Sequence, residues 1–334
     1  MGGRTAYGGR RTAYGVQRTA FSVRRKTLSA VRCPLSAFPR PSAARPSSRV
    51  VKHSWRRDRR AASGVVVTLL ILMVAAGALS MFMGLYVPIW GKDTEAAQMK
   101  KVQTQLLALK SNIDLQIMAG KTSTYTTRLT IGDDGGPIFH LTRAPGGLRF
   151  GPDSGLYRVA NSTDQNDSQG MAQGRLEYNS HNSYYVDQAY LYENGALIVI
   201  QGGRTVMKAG PHFDAKREPD GNYTLGISLI SLNGVASSRE GAGDVQIEST
   251  LNIYDLTTYS GSEWLQGKNM TFNITSRYPS VWSDFFNSTL RRPETGLSPA
   301  DYNITVGPGS VSARFVNVNR LELGIAIVEM QLGM

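Results

Sequence analysis

The sequence has a single cysteine, Cys33, in 334 residues, so no disulfide bond can form within one chain. It has only four histidines, His53, His140, His181 and His212, and none pairs with another His or Glu at a metal-ligand spacing. Gly-x-Ser-x-Gly, Walker and dinucleotide-binding motifs are also missing. We therefore expect a protein that is not an enzyme and that has no cofactor and no small-molecule substrate.

One polar stretch, STDQNDSQG, has oxygen-bearing side chains at alternate positions, as a calcium-binding loop does. They belong to Asp164, Asn166, Asp167 and Ser168. The stretch lacks the glycine at the sixth position and the closing glutamate that such a loop uses. We interpret it as a polar turn and predict no metal site.

Acidic residues are scarce in residues 1–60, where 16 Lys or Arg face Asp58 alone, a net charge of +15. Since the whole chain carries +12, the other 274 residues carry −3, so the basic pI does not predict a nucleic-acid partner for them. A seven-residue repeat runs from Thr5 to about Arg32, and a segment rich in Pro, Ser and Arg follows it. This composition predicts a disordered basic tail over residues 1–60. Two interpretations stay open, an arm for anionic lipid or nucleic acid and a duplicated stretch upstream of the native start.

Charge is missing altogether from Ala61 to Val87, a run of 27 residues. As a helix this run would span ~40 Å, more than the ~30 Å hydrocarbon layer of a bilayer. The apolar part of a secretory signal is shorter, about 7–15 residues. The run therefore predicts a transmembrane helix over residues 61–90, with the lipid bilayer as its partner. Tyr86 and Trp90 stand where interfacial aromatic residues are expected, and Pro88 predicts a bend or break.

The charges that flank the apolar run predict its orientation. The basic residues on its N-terminal side are Lys52, Arg56, Arg57, Arg59 and Arg60, whereas Lys92 and Asp93 cancel on the other side. The positive-inside rule then places the N-terminus in the cytoplasm and residues 91–334 outside the cell. We expect a single-pass protein of the cell membrane.

A second, amphipathic helix is predicted over residues 91–120, with its N-cap near Asp93 or Thr94 and its end by Gly120. Its apolar residues recur at spacings of three and four: Met99, Val102, Leu106, Leu109, Ile113 and Ile117. This stripe needs a covering surface. We expect the protein's own C-terminal domain to cover it; the alternative is the same helix in other copies, as in a filament.

Residues 121–334 show a period of two in segments rich in β-branched and aromatic residues, among them PIFHLT and YYVDQAYLY. They predict a mostly β, sandwich-like extracellular domain that folds on its own. Asn194-Gly195 predicts a tight hairpin, and Asn233-Gly234 predicts another. One helix is expected at residues 279–290, with Trp282, Phe285 and Phe286 on one face. The segment is expected to be a glycosylated surface because it holds seven Asn-x-Ser/Thr sequons, at Asn161, Asn166, Asn222, Asn269, Asn273, Asn287 and Asn303.

The stretch RRDRRAASGVVVTLLILMVA resembles the class III signal region of archaeal type IV pilins and archaellins. In that family a prepilin peptidase cuts just before the hydrophobic helix, which implies recognition of Arg59, Arg60 and Ala61 here and cleavage after Ala61. The segments VPIWGKDTEAAQMKKVQTQLLALKSNID, YYVDQAYLYENGALIVIQ and SRYPSVWSDFFNST resemble uncharacterised archaeal membrane-anchored surface proteins with a pilin-like N-terminus. The tail is longer than a pilin signal, and Ala61 stands where many members have glycine.

Two functional classes follow. The first is a permanently anchored, glycosylated surface protein with a structural or binding role. The second is a pilin-like or pseudopilin-like subunit, processed by a prepilin peptidase and self-associating through its N-terminal helix.

Overall fold

The computed structural model describes residues 58–132, 145–161, 168–260 and 269–333. Most of the predicted basic tail, the segment PIFHLT that was expected to be a strand, and Asp164, Asn166 and Asp167 of the calcium-like turn lie outside the described residues.

One helical rod opens the described part of the chain. It consists of α1 (Asp58–Met81), a π-helical turn (Phe82–Tyr86) and α2 (Val87–Ala119). Proline lacks an N–H and its ring crowds the carbonyl four residues earlier. The π turn lies immediately before Pro88. Its backbone N–H groups bond to the carbonyl five residues earlier instead of four, as the N–H of Val87 does to Phe82, and this wider turn accommodates the proline ring. The predicted break at Pro88 is therefore wrong, although the helix is irregular there.

The boundary predicted at Asp93 or Thr94 is also wrong. Oγ1 of Thr94 donates to the carbonyl of Trp90 at 2.9 Å, which is the pattern of a residue inside a helix. The predicted end is confirmed, since Gly120 caps α2 in the left-handed conformation with φ of 61°.

A mostly β domain follows. Its strands are β1 (Thr124–Gly132), β2 (Gly146–Asn161), β3 (Ser168–Ser180), β4 (Gln188–Glu193), β5 (Ala196–Gln201), β6 (Arg204–Ala209), β7 (Phe213–Arg217), β8 (Tyr223–Asn233), β9 (Ser237–Gly241), β10 (Gly243–Ser260), β11 (Met270–Thr275), β12 (Tyr302–Gly307), β13 (Ser310–Phe315) and β14 (Val318–Leu332). One sheet has the order β1-β10-β14-β8-β7, with β8 and β14 parallel. The other has the order β12-β13-β11-β2-β3-β4-β5-β6, and β9 pairs with β2. Helix α3 (Pro279–Leu290) has the predicted bounds.

The hairpin predicted at Asn194-Gly195 is confirmed. Strands β4 and β5 pair across it, and both turn residues have positive φ, 46° and 72°. The hairpin predicted at Asn233-Gly234 is wrong, because the chain leaves one sheet there and β9 joins the other, beside β2. A Cβ on Gly234 would lie 2.3 Å from the carbonyl oxygen of Met330, so this crossing needs a glycine.

The apolar stripe of α2 is covered by its own domain. All six of its residues are at most 5% exposed and belong to one cluster with residues of both sheets. This confirms that the stripe packs within the chain, where it has little surface left for a contact between copies. Because α2 supplies part of the core of residues 121–334, this packing argues against the expectation that they fold alone, which stays to be tested. A second cluster surrounds α3, where Trp282 and Phe286 are fully buried.

Candidate membrane anchor and its junction with the β domain

The helical rod changes character at Gly91. Side chains from Gly64 to Tyr86 are all exposed, and so are Ile89 and Trp90, whereas Gly91 is the first buried residue. Large apolar side chains in this half are 41–74% exposed. In the described residues, this is the one helix long and apolar enough to cross a membrane. An apolar side chain left in water costs about 1.5–3 kcal/mol relative to a covered one, so this segment needs an apolar surrounding.

Glu95 fixes the β3–β4 loop to the rod one turn above Trp90. Its carboxylate is 2% exposed and accepts three backbone hydrogen bonds, from Ser183 to Oε1 at 2.9 Å and from Tyr184 and Tyr185 to Oε2 at 2.8 and 2.6 Å. Such a ring of backbone N–H groups satisfies a buried carboxylate without a cation. The period-two segment YYVDQAYLY predicted a strand from Tyr184 onward. The strand is confirmed but begins only at Gln188, because Glu95 accepts the backbone N–H groups of Tyr184 and Tyr185.

Gly91 completes the same junction. It lies one turn before Glu95 on the same face of the helix, and the ring of Tyr184 packs on it. A Cβ at this position would lie 2.5 Å from Cδ2 of Tyr184. In the sequence Gly91 stands at the boundary between the two predicted helices, and its packing role follows only from the continuous helix that the structure shows.

Three amide side chains spaced by seven residues join α2 to β1, the edge strand of its sheet. Gln98 donates to the Thr130 carbonyl at 3.0 Å, and Asn112 donates to Oγ1 of Thr127 at 2.9 Å. Between them, Oε1 of Gln105 accepts from the backbone N–H of Thr130 at 3.0 Å. These bonds occupy groups that would otherwise be free on an edge strand. The rod and the sheet are therefore held together by polar contacts as well as by the apolar stripe.

Two tyrosine hydroxyls reinforce this contact from β3 and β4. Tyr178 donates to the carbonyl of Ile131 at 3.0 Å. The Tyr190 hydroxyl lies 3.1 Å from the carbonyl of Met99 and 2.9 Å from Oε1 of Gln188, and it donates to one of them at a time. Burial raises the pKa of Tyr190 to about 12 and that of Tyr178 further, so both remain protonated donors at neutral pH.

The residues of the pilin-like signal lie in the first turns of the rod. Helix α1 begins at Asp58, so Arg59, Arg60 and Ala61 are helical, whereas the resemblance implied a helix that starts after the cleavage point at Ala61. This places the three residues directly before the exposed apolar segment.

The described sequons gather in the half of the domain that is remote from the anchor. Strand β2 starts beside Ile131 and runs for 16 residues to Asn161, at the end of the strand away from the exposed apolar segment. Asn161 pairs there with Met270, and Asn303 lies two strands further, on β12. Asn303 is exposed and Asn161 is buried. Partly exposed sequon residues are Asn222, Asn269, Asn273 and Asn287, and Asn166 lies outside the described residues.

The β domain also has polar clefts at its surface. A cleft of about 530 Å³ lies between β2 and β9, and one of about 270 Å³ adjoins it at the bulge of β2. Arg149 and Glu177 line both, and Glu177 pairs with Arg277 at 2.8 Å. Of the histidines in the described ranges, His212 lies 3.4 Å from Asp114, and no group of three His, Cys, Asp or Glu residues there is placed to hold a metal.

Comparison of the chain with protein-family models, with curated proteins and with solved structures finds no significant match in any of the three.

Proposed function

We propose that the protein is a single-pass, membrane-anchored surface protein whose β domain stands outside the cell in a structural or binding role. The observation that carries this proposal is the helical rod, whose first half exposes an uncharged apolar surface from Gly64 to Trp90 and whose second half is built into the core of the domain. The exposed half is ~40 Å long, which matches the thickness of a bilayer with its headgroup regions.

The charges that flank the apolar segment support one orientation of the helix in the membrane. Five basic residues precede the apolar segment between Lys52 and Arg60, and Lys92 and Asp93 cancel after it. The positive-inside rule assigns the basic end to the cytoplasm and the β domain to the outside.

The distribution of sequons supports the same orientation. Glycans need water around them, and the described sequons occupy the half of the domain that is farthest from the anchor. Of these, Asn303 is exposed on β12 and Asn161 is 5% exposed at the end of β2. We expect Asn303→Gln to remove a glycan mass from the native protein and Asn161→Gln to leave the mass of the glycans unchanged.

Membrane extraction tests the anchor. Leu72→Arg places a charge in the middle of the exposed segment, where it costs about 2.5–3.5 kcal/mol. Val206→Arg changes an exposed residue of β6 and is the matched control. We expect alkaline carbonate to leave the parent and Val206→Arg in the membrane pellet and to release part of Leu72→Arg. Release of all three proteins would contradict the proposal.

A second candidate function is a pilin-like subunit, and one observation favours it. The exposed half of the rod continues without interruption into the buried half, so neighbouring rods are a second apolar surface that could cover residues 64–90. The double variant Arg60→Leu with Ala61→Leu should block a prepilin peptidase. If the parent is several kilodaltons smaller than this variant and occurs in sheared filaments, assembly replaces the static anchor.

A further inference from the structure

We propose that the loop 182–187, between β3 and β4, is a second contact with the lipid surface, so that the β domain rests on the membrane in a fixed orientation. The proposal rests on the membrane anchor proposed above. The exposed apolar side chains of this loop would then lie at the boundary between lipid headgroups and acyl chains.

The level of the loop along the rod is fixed by direct contacts. The ring of Tyr184 packs on Gly91, the residue that follows Trp90 in the sequence. Glu95, one turn further, holds the backbone of Ser183 and Tyr185. Because the helix rises 1.5 Å per residue, the loop begins within a few Å of the level of Trp90.

That level lies in the interfacial layer of a bilayer. The apolar segment ends at Trp90 and the first charged residue beyond it is Lys92. Tryptophan and tyrosine prefer this layer because the ring is apolar and its N–H or O–H reaches water. Tyr184 brings a second aromatic ring to the level that Trp90 already occupies.

The loop presents apolar surface, and Asn182 bonds to two other residues of the loop. Tyr184 is 38% and Val186 is 49% exposed. Asn182 closes the loop, since its Nδ2 donates to the carbonyl of Val186 at 3.0 Å and its backbone N–H donates to Oδ1 of Asp187 at 2.7 Å. The side chain of Val186 lies beside Gly202, in the turn that leads to Arg204, an exposed residue suited to an anionic headgroup.

The loop adjoins the apolar segment of the rod, and for this reason we assign lipid, rather than another protein, as the partner of its exposed apolar side chains. Tyr184 borders the rod at the point where its apolar segment ends, and Val186 is two residues further along the loop, so a bilayer that covers Trp90 reaches the loop as well. A second contact beside the helix restricts the tilt of the β domain relative to the bilayer, which a single helix does not.

Site-directed fluorescence on the full-length chain tests the proposal. The background is Cys33→Ser, which removes the single native cysteine. Val186→Cys is labelled with an environment-sensitive dye, and the protein is reconstituted in phosphatidylcholine vesicles. Val306→Cys is the matched control, because Val306 is also a valine 49% exposed but lies on β12 at the remote end. Leu72→Cys reports on the anchor itself.

We expect nitroxide lipids with a shallow label to quench the dye at residue 186 strongly and to leave the dye at residue 306 unchanged. Aqueous iodide should do the reverse. The inference is overturned if residue 186 behaves like residue 306 while deep nitroxides still quench residue 72, since the anchor then stands without the loop contact. Protection of residue 186 from iodide without quenching by lipid would show a protein neighbour and would also overturn it. If residue 72 is not quenched, the anchor fails as well.

Discussion

The indole N–H of Trp282 donates a 2.8 Å hydrogen bond to Oε1 of Glu193, a carboxylate with no exposure to solvent. The same oxygen accepts from the hydroxyl of Ser276 at 2.5 Å, and Oε2 accepts from Nε2 of Gln173 at 2.9 Å. The next residue, Asn194, accepts from the backbone N–H of Ile230 at 2.8 Å. The buried β4–β5 turn therefore connects α3, β11, β3 and β8.

Glu193 should stabilise the fold through its acceptors rather than through its charge. Glu193→Ala leaves three buried donors without a partner and should lower the free energy of unfolding by about 3 kcal/mol. Glu193→Gln keeps Oε1 for Trp282 and Ser276, and its new amide can face Gln173 Oε1, which has no partner. We expect Glu193→Gln to differ from the parent by less than about 1 kcal/mol. Denaturant unfolding measures both, with the exposed Glu294→Ala as control; equal values for Glu193→Ala and Glu294→Ala would contradict the prediction.

The stability of the fold should depend on pH through Glu193. Burial raises the pKa of this carboxyl above 4.5, against the opposing hydrogen bonds of Ser276 and Trp282. The folded state then holds a proton that the unfolded chain has released. The stabilisation from Glu193 is therefore complete below about pH 4.5 and is lost as the pH rises through the folded pKa.

Glu193→Gln should remove this loss, because its amide does not titrate. Unfolding measured from pH 4 upward should show the stability of Glu193→Gln rising relative to the parent. Asp114 contributes with the opposite sign. Burial raises the pKa of Asp114, but His212 and Lys110 together lower it below 3.8, so its stabilisation is lost as the pH falls. If the free energy of unfolding of the parent and that of Glu193→Gln change with pH in parallel, Glu193 does not titrate in this range.

Gly91→Ala should destabilise the junction between rod and domain. The added Cβ would lie 2.5 Å from the Tyr184 ring, and such overpacking costs about 1–3 kcal/mol. Gly77→Ala is the matched control, since no heavy atom lies within 4 Å of its added Cβ and alanine favours a helix. Hydrogen exchange at residues 183–185 should accelerate in Gly91→Ala and stay unchanged in Gly77→Ala. Equal protection in both variants would mean that Tyr184 does not depend on Gly91.

A fragment that begins at Gly91 should fold, and a fragment that begins at Lys121 should not. The first keeps α2 with its stripe and its amide contacts to Thr130, whereas the second uncovers the apolar cluster that α2 covers. We expect a cooperative thermal transition for residues 91–333 only. A transition of equal midpoint for residues 121–333 would show that α2 merely lies on the surface of a complete core.

The sequence predicted elements whose signals are local. An uncharged run of 27 residues, a period of three and four between Met99 and Ile117, and Asn194-Gly195 each define their element without a partner. What the sequence did not show depends on contacts between distant residues. Strand β2 contains four glycines and a proline and lacked a strand pattern; it is held by its pairing with β3, β9 and β11.

The junction was missed for the same reason. Glu95 stands in the polar stretch GKDTE, and only the fold brings Ser183 within its reach. Gln98 and Gln105 occupied the polar side of the helical pattern, yet they bond to Thr130 on β1. A helical period predicts which residues share a face, but it does not predict which polar residues beside that face will find a partner.

Labelling of intact cells with a membrane-impermeant maleimide tests the central claim, that residues 64–90 cross a bilayer with the β domain outside. Cys33 reports on the N-terminal side in the parent protein. Val235→Cys in a Cys33→Ser background reports on the domain, since Val235 is 83% exposed. We expect Val235→Cys to react in intact cells and Cys33 to react only after lysis. Reaction of Cys33 in intact cells, or protection of Val235→Cys until lysis, would contradict this claim.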